Sequence, residues 1–351
     1  MDHATCMIYG ANGFTGRLVT REAVACALRP ILAGRRAAPI AALAAEHGLR
    51  ALAFDLMDAA ATRTALAGVS VLANCAGPFA ATSGPLIEAC LATGTHYLDI
   101  TGEIDVFLAA RSRDEEARRA GILVCPGVGF DVVPTDCLAA VLKEALPDAT
   151  DLALGFDAVA VPSPGTARTI VEGLGHGGRI RENGEIVTVP FGYRRRSIDF
   201  GNGETAAVTV PWGDLATAYF STGIPNIAVY VPAPPAARAL MRGLNLVRPL
   251  LGSALARGLL RRWAGRAKGP SEAALQGETA YVWGEVTNAR GTRRTARVTT
   301  PNGYRFTASA AVMAIAHVLA TRPASGYATP SQLMGPRCVE QVPGVTPIRI
   351  E

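Results

Sequence analysis

Three glycines, Gly10, Gly13 and Gly16, punctuate the stretch MIYGANGFTGRLV at residues 7–19. A short apolar, β-prone run precedes them. A stretch of helical period follows, in which Leu18, Val19, Ala23, Val24 and Ala27 can share one face. Between a strand and a helix the three positions have separate tasks. Gly10 permits the tight turn, Gly13 removes a Cβ that would stand between backbone and a diphosphate, and Gly16 lets the helix lie close to the strand. The helix start offers free N–H groups and the positive end of its dipole to the anion. Asn12, Phe14 and Thr15 therefore join the three glycines as candidate nucleotide-binding residues. The spacing is G-x-x-G-x-x-G rather than G-x-G-x-x-G, and a tight turn that binds nothing is the alternative.

RPILAGRRAAP reads as a second parallel strand ending at Gly34-Arg35-Arg36. An acid at that strand end suits the ribose 2′-hydroxyl of NAD, whereas an arginine suits the 2′-phosphate of NADP. The expected cofactor is thus NADP(H), gripped by Arg35 or Arg36, against the alternative of a solvated basic turn. Asp55, closing a third strand in LRALAFDLMD, is placed at the adenine edge. VSVLANCAGPF is a fourth strand. Ala76, Gly77, Pro78 and Phe79 beyond it would let the nicotinamide ribose sit against backbone.

Hydride transfer needs a positioned acceptor and a proton. No tyrosine is followed four residues later by lysine, so the tyrosine–lysine acid of short-chain dehydrogenases is absent. The five histidines are scattered, and no His/Cys cluster has ligand spacing, so no metal is expected. The candidate donors are Tyr97, Asp99, Asp131, His176, Asp214 and Tyr219. Asp131, in GVGFD, lies at the carboxyl end of a strand, and it equally suits a cap for the helix beginning near Pro134. Asp214 and Tyr219 read as a loop-rich stretch with Ser221 and Thr222 that faces the nicotinamide. Tyr97 also fits a core position, and His176 a glycine-rich helix end.

Positioning these residues takes a particular framework. GTHYLDITGE and AGILVCPGVGFDVVPTD supply a fifth and a sixth strand, with helical stretches such as PLIEACLAT and VFLAARSRDEEARRA between them. Strands alternating with helices at this spacing form a doubly wound parallel sheet of the Rossmann type. Ligands bind beyond its carboxyl strand ends, which makes Gly77–Phe79, Asp99–Glu103 and Gly127–Asp131 neighbours of one crevice. From about Thr135 the pattern changes. A helix capped by Ser163 or Thr166, an Asn-Gly hairpin in RENGEIVTV, and a meander with turns at 289–291 and Asn302-Gly303 describe an α+β domain on a largely antiparallel sheet. TASAAVMAIAHVLAT is apolar nearly all round and reads as a buried helix packed back on the first sheet. The expected organisation is a Rossmann domain at 1–134, completed by 306–351, with 135–305 inserted as a substrate or dimerisation domain.

The chain has 351 residues and a formal charge of +5, too thin a basic bias for a nucleic-acid footprint. Seven cysteines without a C-x-x-C pair suggest buried free thiols in a reducing cytoplasm. The N-terminus runs directly into the glycine turn without a secretory apolar region, and no apolar run has spanning length. One stretch stands apart. Residues 236–268 alternate leucines with seven arginines and one lysine, broken near Pro249. A surface helical hairpin packed on the domain or on a second subunit, peripheral contact with a membrane beside Trp263, and a dock for an acidic acyl carrier protein are the three readings.

IYGANGFTGRLV, LANCAGPFAATSGPLIEACLATGTHYLDITGE and PGVGFDVVPTD resemble the saccharopine dehydrogenase-like oxidoreductases, in particular the branch holding bacterial trans-acting enoyl reductases. PWGDLATAYFSTGIPNI and GPSEAALQGETAYVWGEV resemble second-domain segments of that branch. The resemblance implies NADP(H) dependence and a Rossmann domain with an inserted α/β domain. It leaves imines, carbonyls, enoyl thioesters or no turnover open. Multiply charged amino-acid substrates need clustered arginines in the pocket. The arginines of the second half gather instead at YRRRS and in 236–268, on apparent surfaces, so an apolar acyl-chain acceptor is expected.

Overall fold

The strands of the first sheet are short and apolar: β1 (Cys6–Tyr9), β2 (Ile31–Gly34), β3 (Ala51–Ala53), β4 (Val71–Asn74), β5 (His96–Asp99) and β6 (Leu123–Cys125). In the computed structural model, which describes residues 5–158, 161–251 and 269–351, β1, β2 and β4 are buried at every residue. Strands covered on both faces must be so. Helices α1 (Phe14–Ala25), α2 (Ala37–His47), α3 (Ala59–Leu66), α4 (Phe79–Thr93), α5 (Ile104–Ser112) and α6 (Asp114–Ala120) make the crossovers. Alternate residues of β1 enter opposite layers, as the strand period requires. Ile8 packs with Val19, Leu32 and Ile40, while Met7 and Tyr9 pack with Leu72, Leu86 and Tyr97. All the strand pairs are parallel, in the order β6-β5-β4-β1-β2-β3. The order reverses between β1 and β4, which opens a crevice beyond their carboxyl ends.

Two compact units divide the chain, Met1–Val133 with Tyr304–Met334 and Pro134–Gly303 with Gly335–Glu351. The second contains α7 (Val133–Ala145), β7 (Ala149–Asp157), α8 (Pro164–Gly173), β8 (Gly178–Glu182), β9 (Glu185–Val189), β10 (Arg195–Asp199), β11 (Glu204–Val210), α9 (Asp214–Thr222), β12 (Asn226–Pro232), α10 (Pro235–Leu251), α11 (Glu272–Gly277), β13 (Thr279–Asn288) and β14 (Arg293–Pro301). Its sheet is mixed. β12 and β7 pair in parallel, and β10-β11-β12 and β7-β13-β14 are antiparallel. The β8–β9 hairpin turns at Asn183-Gly184, both at positive φ (51° and 84°), as a two-residue Asn-Gly loop requires. Ser163 Oγ accepts the Thr166 N–H at 3.2 Å and caps α8. At Gly284 of β13 a Cβ would lie 2.8 Å from Leu142 of α7, so the missing side chain lets that helix lie on the sheet.

Helix α12 (Gly303–Ala320) returns to the first unit, burying Ala311, Ala314 and Ile315 in the apolar layer of Ile8. β15 (Gly326–Tyr327) then adds a parallel edge strand to β6, and α13 (Pro330–Met334) follows.

Several expectations need correction. The tail is split. Residues 335–351 belong to the second unit, where β16 (Arg349–Ile350) pairs with β14, instead of completing the first together with 306–334. Asn302-Gly303 is no hairpin turn, because Gly303 starts α12 and the helix carries Phe306 into full burial. The stretch 106–120 forms two helices. Arg113 leaves the helical region (φ −92°, ψ 8°), and Asp114, Glu115 and Glu116 restart the turn as acids at a helix N-terminus. α10 runs through Pro249 to Leu251, since a proline in the last turn removes one N–H bond without ending the helix. The remainder of 236–268, with Trp263, lies outside the described residues.

Asp114 ties the β15 edge down. Its Oδ1 accepts the Tyr327 N–H at 2.7 Å, and its carboxylate meets Arg111 at 2.5 Å and Arg118 at 3.2 Å. Burial works against the charge, but these partners outweigh it and hold the carboxyl below its usual range. A depressed folded-state pKa gives stability that is present above the unfolded pKa of about 4 and lost as pH falls through the folded value. Asp114→Asn should lower stability by about 1–3 kcal/mol at pH 7, read as a lower urea midpoint, and the gap to the parent protein should close below about pH 4.

Candidate functional site

The glycine turn is built from backbone contacts. Gly10 sits at φ +77°, and a Cβ on it would lie 2.8 Å from the Ala76 backbone nitrogen. A Cβ on Gly16 would collide with the Gly10 carbonyl oxygen. Those two positions join β1, α1 and the segment after β4. Gly13 has another part. It is exposed, it donates to the Gly10 carbonyl at 2.9 Å, and it begins α1 with no side chain capping that end. The first N–H groups of α1, at Phe14 and Thr15, thus remain as an anion site of the kind a diphosphate uses. Asn12 lies beside the turn, its carbonyl accepting from Arg17 Nε at 3.4 Å.

Arg35 and Arg36 follow β2 and are both exposed. The positive charge of Arg35 and the negative charge of Asp55 both act on the Tyr9 hydroxyl at the end of β1, so the two residues flank one strand end. Asp55 is exposed and accepts the Met57 N–H at 3.1 Å. An open pair of guanidinium groups beside an uncapped helix start fits a phosphorylated dinucleotide. Gly10–Gly16 would hold its diphosphate and Arg35 or Arg36 the extra phosphate.

The rim opposite is a hydrogen-bonded frame. Beyond β4 the chain passes Cys75, Ala76 and a cis Gly77-Pro78 bond into α4. Asn74 Oδ1 accepts the Ala76 N–H at 3.0 Å, and its Nδ2 donates to Thr82 Oγ1 at 3.1 Å and to the Tyr97 hydroxyl at 3.3 Å. Tyr97 donates to Asp99 Oδ2 at 2.8 Å. Asp99 Oδ1 accepts N–H groups from Thr101 at 3.0 Å and Gly127 at 2.9 Å. Glu103 reaches back to α4, where its carboxylate accepts the N–H groups of Phe79 and Ala80, each at 2.9 Å. These bonds bring together the three segments expected to share one crevice beyond the carboxyl strand ends, Gly77–Phe79, Asp99–Glu103 and Gly127–Asp131.

Among the proposed proton donors the surroundings differ. Tyr97 and Asp99 are fully buried. Burial drives Tyr97 well above its ordinary range and pushes Asp99 up to about 6, against the three donors that favour its charge. Asp131 is half-buried and sits over Gly102, where a Cβ would lie 2.8 Å from its Oδ2. Burial pushes its carboxyl up to about 6 as well. Asp214 and Tyr219 are on the regular helix α9, correcting the loop expected there. Asp214 is fully buried and accepts the Thr135 hydroxyl at 2.5 Å. The Tyr219 ring stacks under the Arg181 guanidinium at 4.0 Å. The two therefore face different partners within the second unit. His176 is exposed and ends a 3₁₀ turn after α8.

Glu103 was placed at the crevice by the sequence without a role; the residues given roles there omit the framing groups Asn74, Thr82 and Thr307, whose hydroxyl accepts the Phe130 N–H at 3.0 Å. Asn74 was within reach of sequence reasoning as a polar residue at a strand end. Thr307 was not, because 177 residues separate it from its partner.

Residues 6–125 match the family model of the saccharopine dehydrogenase NADP-binding domain. A trans-acting enoyl reductase of Mycobacterium leprae is 36% identical over 141 residues, covering 37% of this chain and 33% of that protein. A saccharopine dehydrogenase-like oxidoreductase of Homo sapiens is 27% identical over 150 residues, covering 37% and 35%. The chain thus matches about a third of the length of these curated relatives. Apo histidine-tagged saccharopine dehydrogenase (L-Glu forming) from Saccharomyces cerevisiae superposes with a TM-score of 0.65 over 99% of both chains at 13% identity, which concerns the fold alone.

Removing both guanidinium groups, as Arg35→Ala with Arg36→Ala, should weaken NADPH binding roughly 10- to 100-fold, the worth of one or two hydrogen bonds to a charged group. NADH affinity should stay near that of the parent protein. Fluorescence titration with the two reduced dinucleotides measures both.

Proposed function

The first unit belongs to the saccharopine dehydrogenase NADP-binding domain family, and from that premise we propose that the protein is an NADP(H)-dependent reductase of an apolar C=C bond, as in an enoyl thioester. The cofactor supplies the hydride. The chain grips it through Gly10–Gly16 and the Arg35-Arg36 pair and provides a proton for the carbon left electron-rich after hydride addition.

Asp131 suits the proton step better than the other carboxyls. A general acid must be protonated near working pH and open to the reacting atom. Asp99 has the raised pKa without the opening, being sealed by Tyr97, Thr101 and Gly127. Asp131 has both a carboxyl near 6 and a half-open position past β6.

The acceptor's polarity follows from how the second unit uses its arginines, the observation that carries this reading. Arg196 meets Glu285 through two nitrogens at 3.1 and 3.2 Å and lies 4.8 Å over the Trp283 ring. Arg194 pairs with Glu182, Arg290 with Asp148 and Arg297 with Glu351. Guanidinium groups already neutralised by their own unit are poor receptors for a multiply charged amino acid. Ile180, Ile198, Phe200, Tyr230 and Trp283 are buried together in the apolar core of the same unit. An uncharged acyl chain makes no demand on these paired arginines, and the second unit is its proposed recognition unit.

Two measurements test the proposal. NADPH oxidation against a panel of enoyl thioesters, imines and ketones should show turnover with the enoyl thioesters, whereas turnover confined to charged amino-acid imines or to carbonyl compounds overturns it. If Asp131 is the acid, kcat should fall as pH rises through about 6, where its proton is lost. Asp131→Asn should remove that limb and lower kcat by roughly 10²- to 10⁴-fold. An unchanged pH profile in the variant would show that the proton comes from elsewhere.

A further inference from the structure

α10 is amphipathic in an inverted sense, with an apolar face that points outward. Its inner side is anchored to its own unit. Asn245 accepts the Phe191 N–H at 2.8 Å and donates to the Phe191 carbonyl at 3.2 Å. Met241 lies beside Gly192, its sulfur 3.4 Å from where a Cβ would stand. At 100° per residue, Ala236, Ala239, Leu240, Gly243, Leu246 and Val247 occupy one outward arc of about 120°, and all six are exposed. Leu246 is 85% exposed, Leu240 63% and Val247 42%. Scattered exposed leucines need no explanation, but a continuous apolar stripe on a surface helix does.

Charge says what covers it. Arg242 borders the stripe and is exposed. From Leu215 to Ser271 the sequence has eight basic residues and no carboxylate, while the rest of the chain has more acids than bases. The whole positive excess of the protein is therefore concentrated in the stretch of sequence that contains this apolar helix. A second copy of the chain would bring an equally basic stripe and meet it with repulsion. A neutral protein groove would leave the arginines unmatched. An anionic bilayer matches both features, taking the leucines at the headgroup boundary and the arginines at the phosphates. No helix among the described residues, α10 included, is long and apolar enough to cross a membrane. We propose that α10 docks in the plane of an anionic lipid surface through the Leu240–Leu246–Val247 face. The inference is independent of the acceptor assigned above.

Flotation of the full chain with phosphatidylcholine–phosphatidylglycerol vesicles and with phosphatidylcholine vesicles alone tests this. The expected result is binding to the anionic vesicles that weakens as salt rises, with little binding to the neutral ones. Leu240→Asp with Leu246→Asp should reduce binding by on the order of tenfold or more. NADPH affinity should be unchanged, which shows that the variant is folded. Arg242→Glu should shift the salt dependence. No binding to either vesicle, or equal binding by the double variant, overturns the proposal. Light scattering is the second readout. A dimer in the parent chain that the double variant loses, without vesicle binding, assigns the face to a second copy. Capture of an acidic acyl carrier protein without vesicle binding assigns it to that partner, and either result overturns the lipid assignment.

Discussion

Asp99 holds the rim of the first sheet together. It ends β5 in full burial, where an unsolvated carboxylate is tolerated only with enough donors around it. The Tyr97 hydroxyl and the N–H groups of Thr101 and Gly127 supply them. Through Tyr97 the bond path continues to Asn74 and so to the turn after β4. The Asp99 carbonyl takes the Val128 N–H at 2.7 Å. One side chain thereby sets the relative positions of the loops beyond β4, β5 and β6. A dinucleotide laid across β1 and β4 meets a surface whose parts cannot shift separately, and preorganisation of this kind lowers the cost of binding.

Glu103 extends the same frame to α4. A carboxylate at a helix start satisfies N–H groups and complements the dipole. The two helix starts beside the crevice are consequently unlike. α4 has its first N–H groups filled by the protein's own carboxylate, and α1 has no side chain at its start. Of these two helix starts, α1 is the one that leaves its N–H groups for an incoming diphosphate.

The parallel sheet was legible because its signals are local. The glycine turn, the arginines after β2 and the small residues after β4 are each contained within a few residues, and strands alternating with helices imply parallel pairing. β15 was not legible. Two residues carry no period, and the strand exists because Asp114, far away in sequence, takes the Tyr327 N–H. The division of the tail failed for the same reason, since the pairing of Arg349–Ile350 with β14 depends on a partner strand and not on its own composition. In the second unit the Asn183-Gly184 hairpin and the Ser163 cap were readable from chemistry, whereas α9 was mistaken for a loop. The glycines, serines and threonines around Asp214–Thr222 weaken a helical period that burial of Leu215, Ala216 and Ala218 nevertheless enforces.

Asp99 and Asp131 show why the site's roles cannot be assigned from residue type or pKa direction alone. Both carboxyls lie past adjacent strands, and burial raises both to about 6. What separates them is exposure, Asp99 being fully buried and Asp131 half-buried. Three donors close around Asp99, so its charge state is tied to the rim's own hydrogen bonds and a proton gained there would weaken the frame. For Asp131, burial alone accounts for the shift. Its carboxylate rests over Gly102, where only the absence of a side chain makes room for it. A half-buried carboxyl past β6 is placed to exchange a proton with a bound acceptor, the role proposed for it above. Two carboxyls that burial raises alike thus differ in exposure, Asp99 framing the rim and Asp131 proposed as the acid.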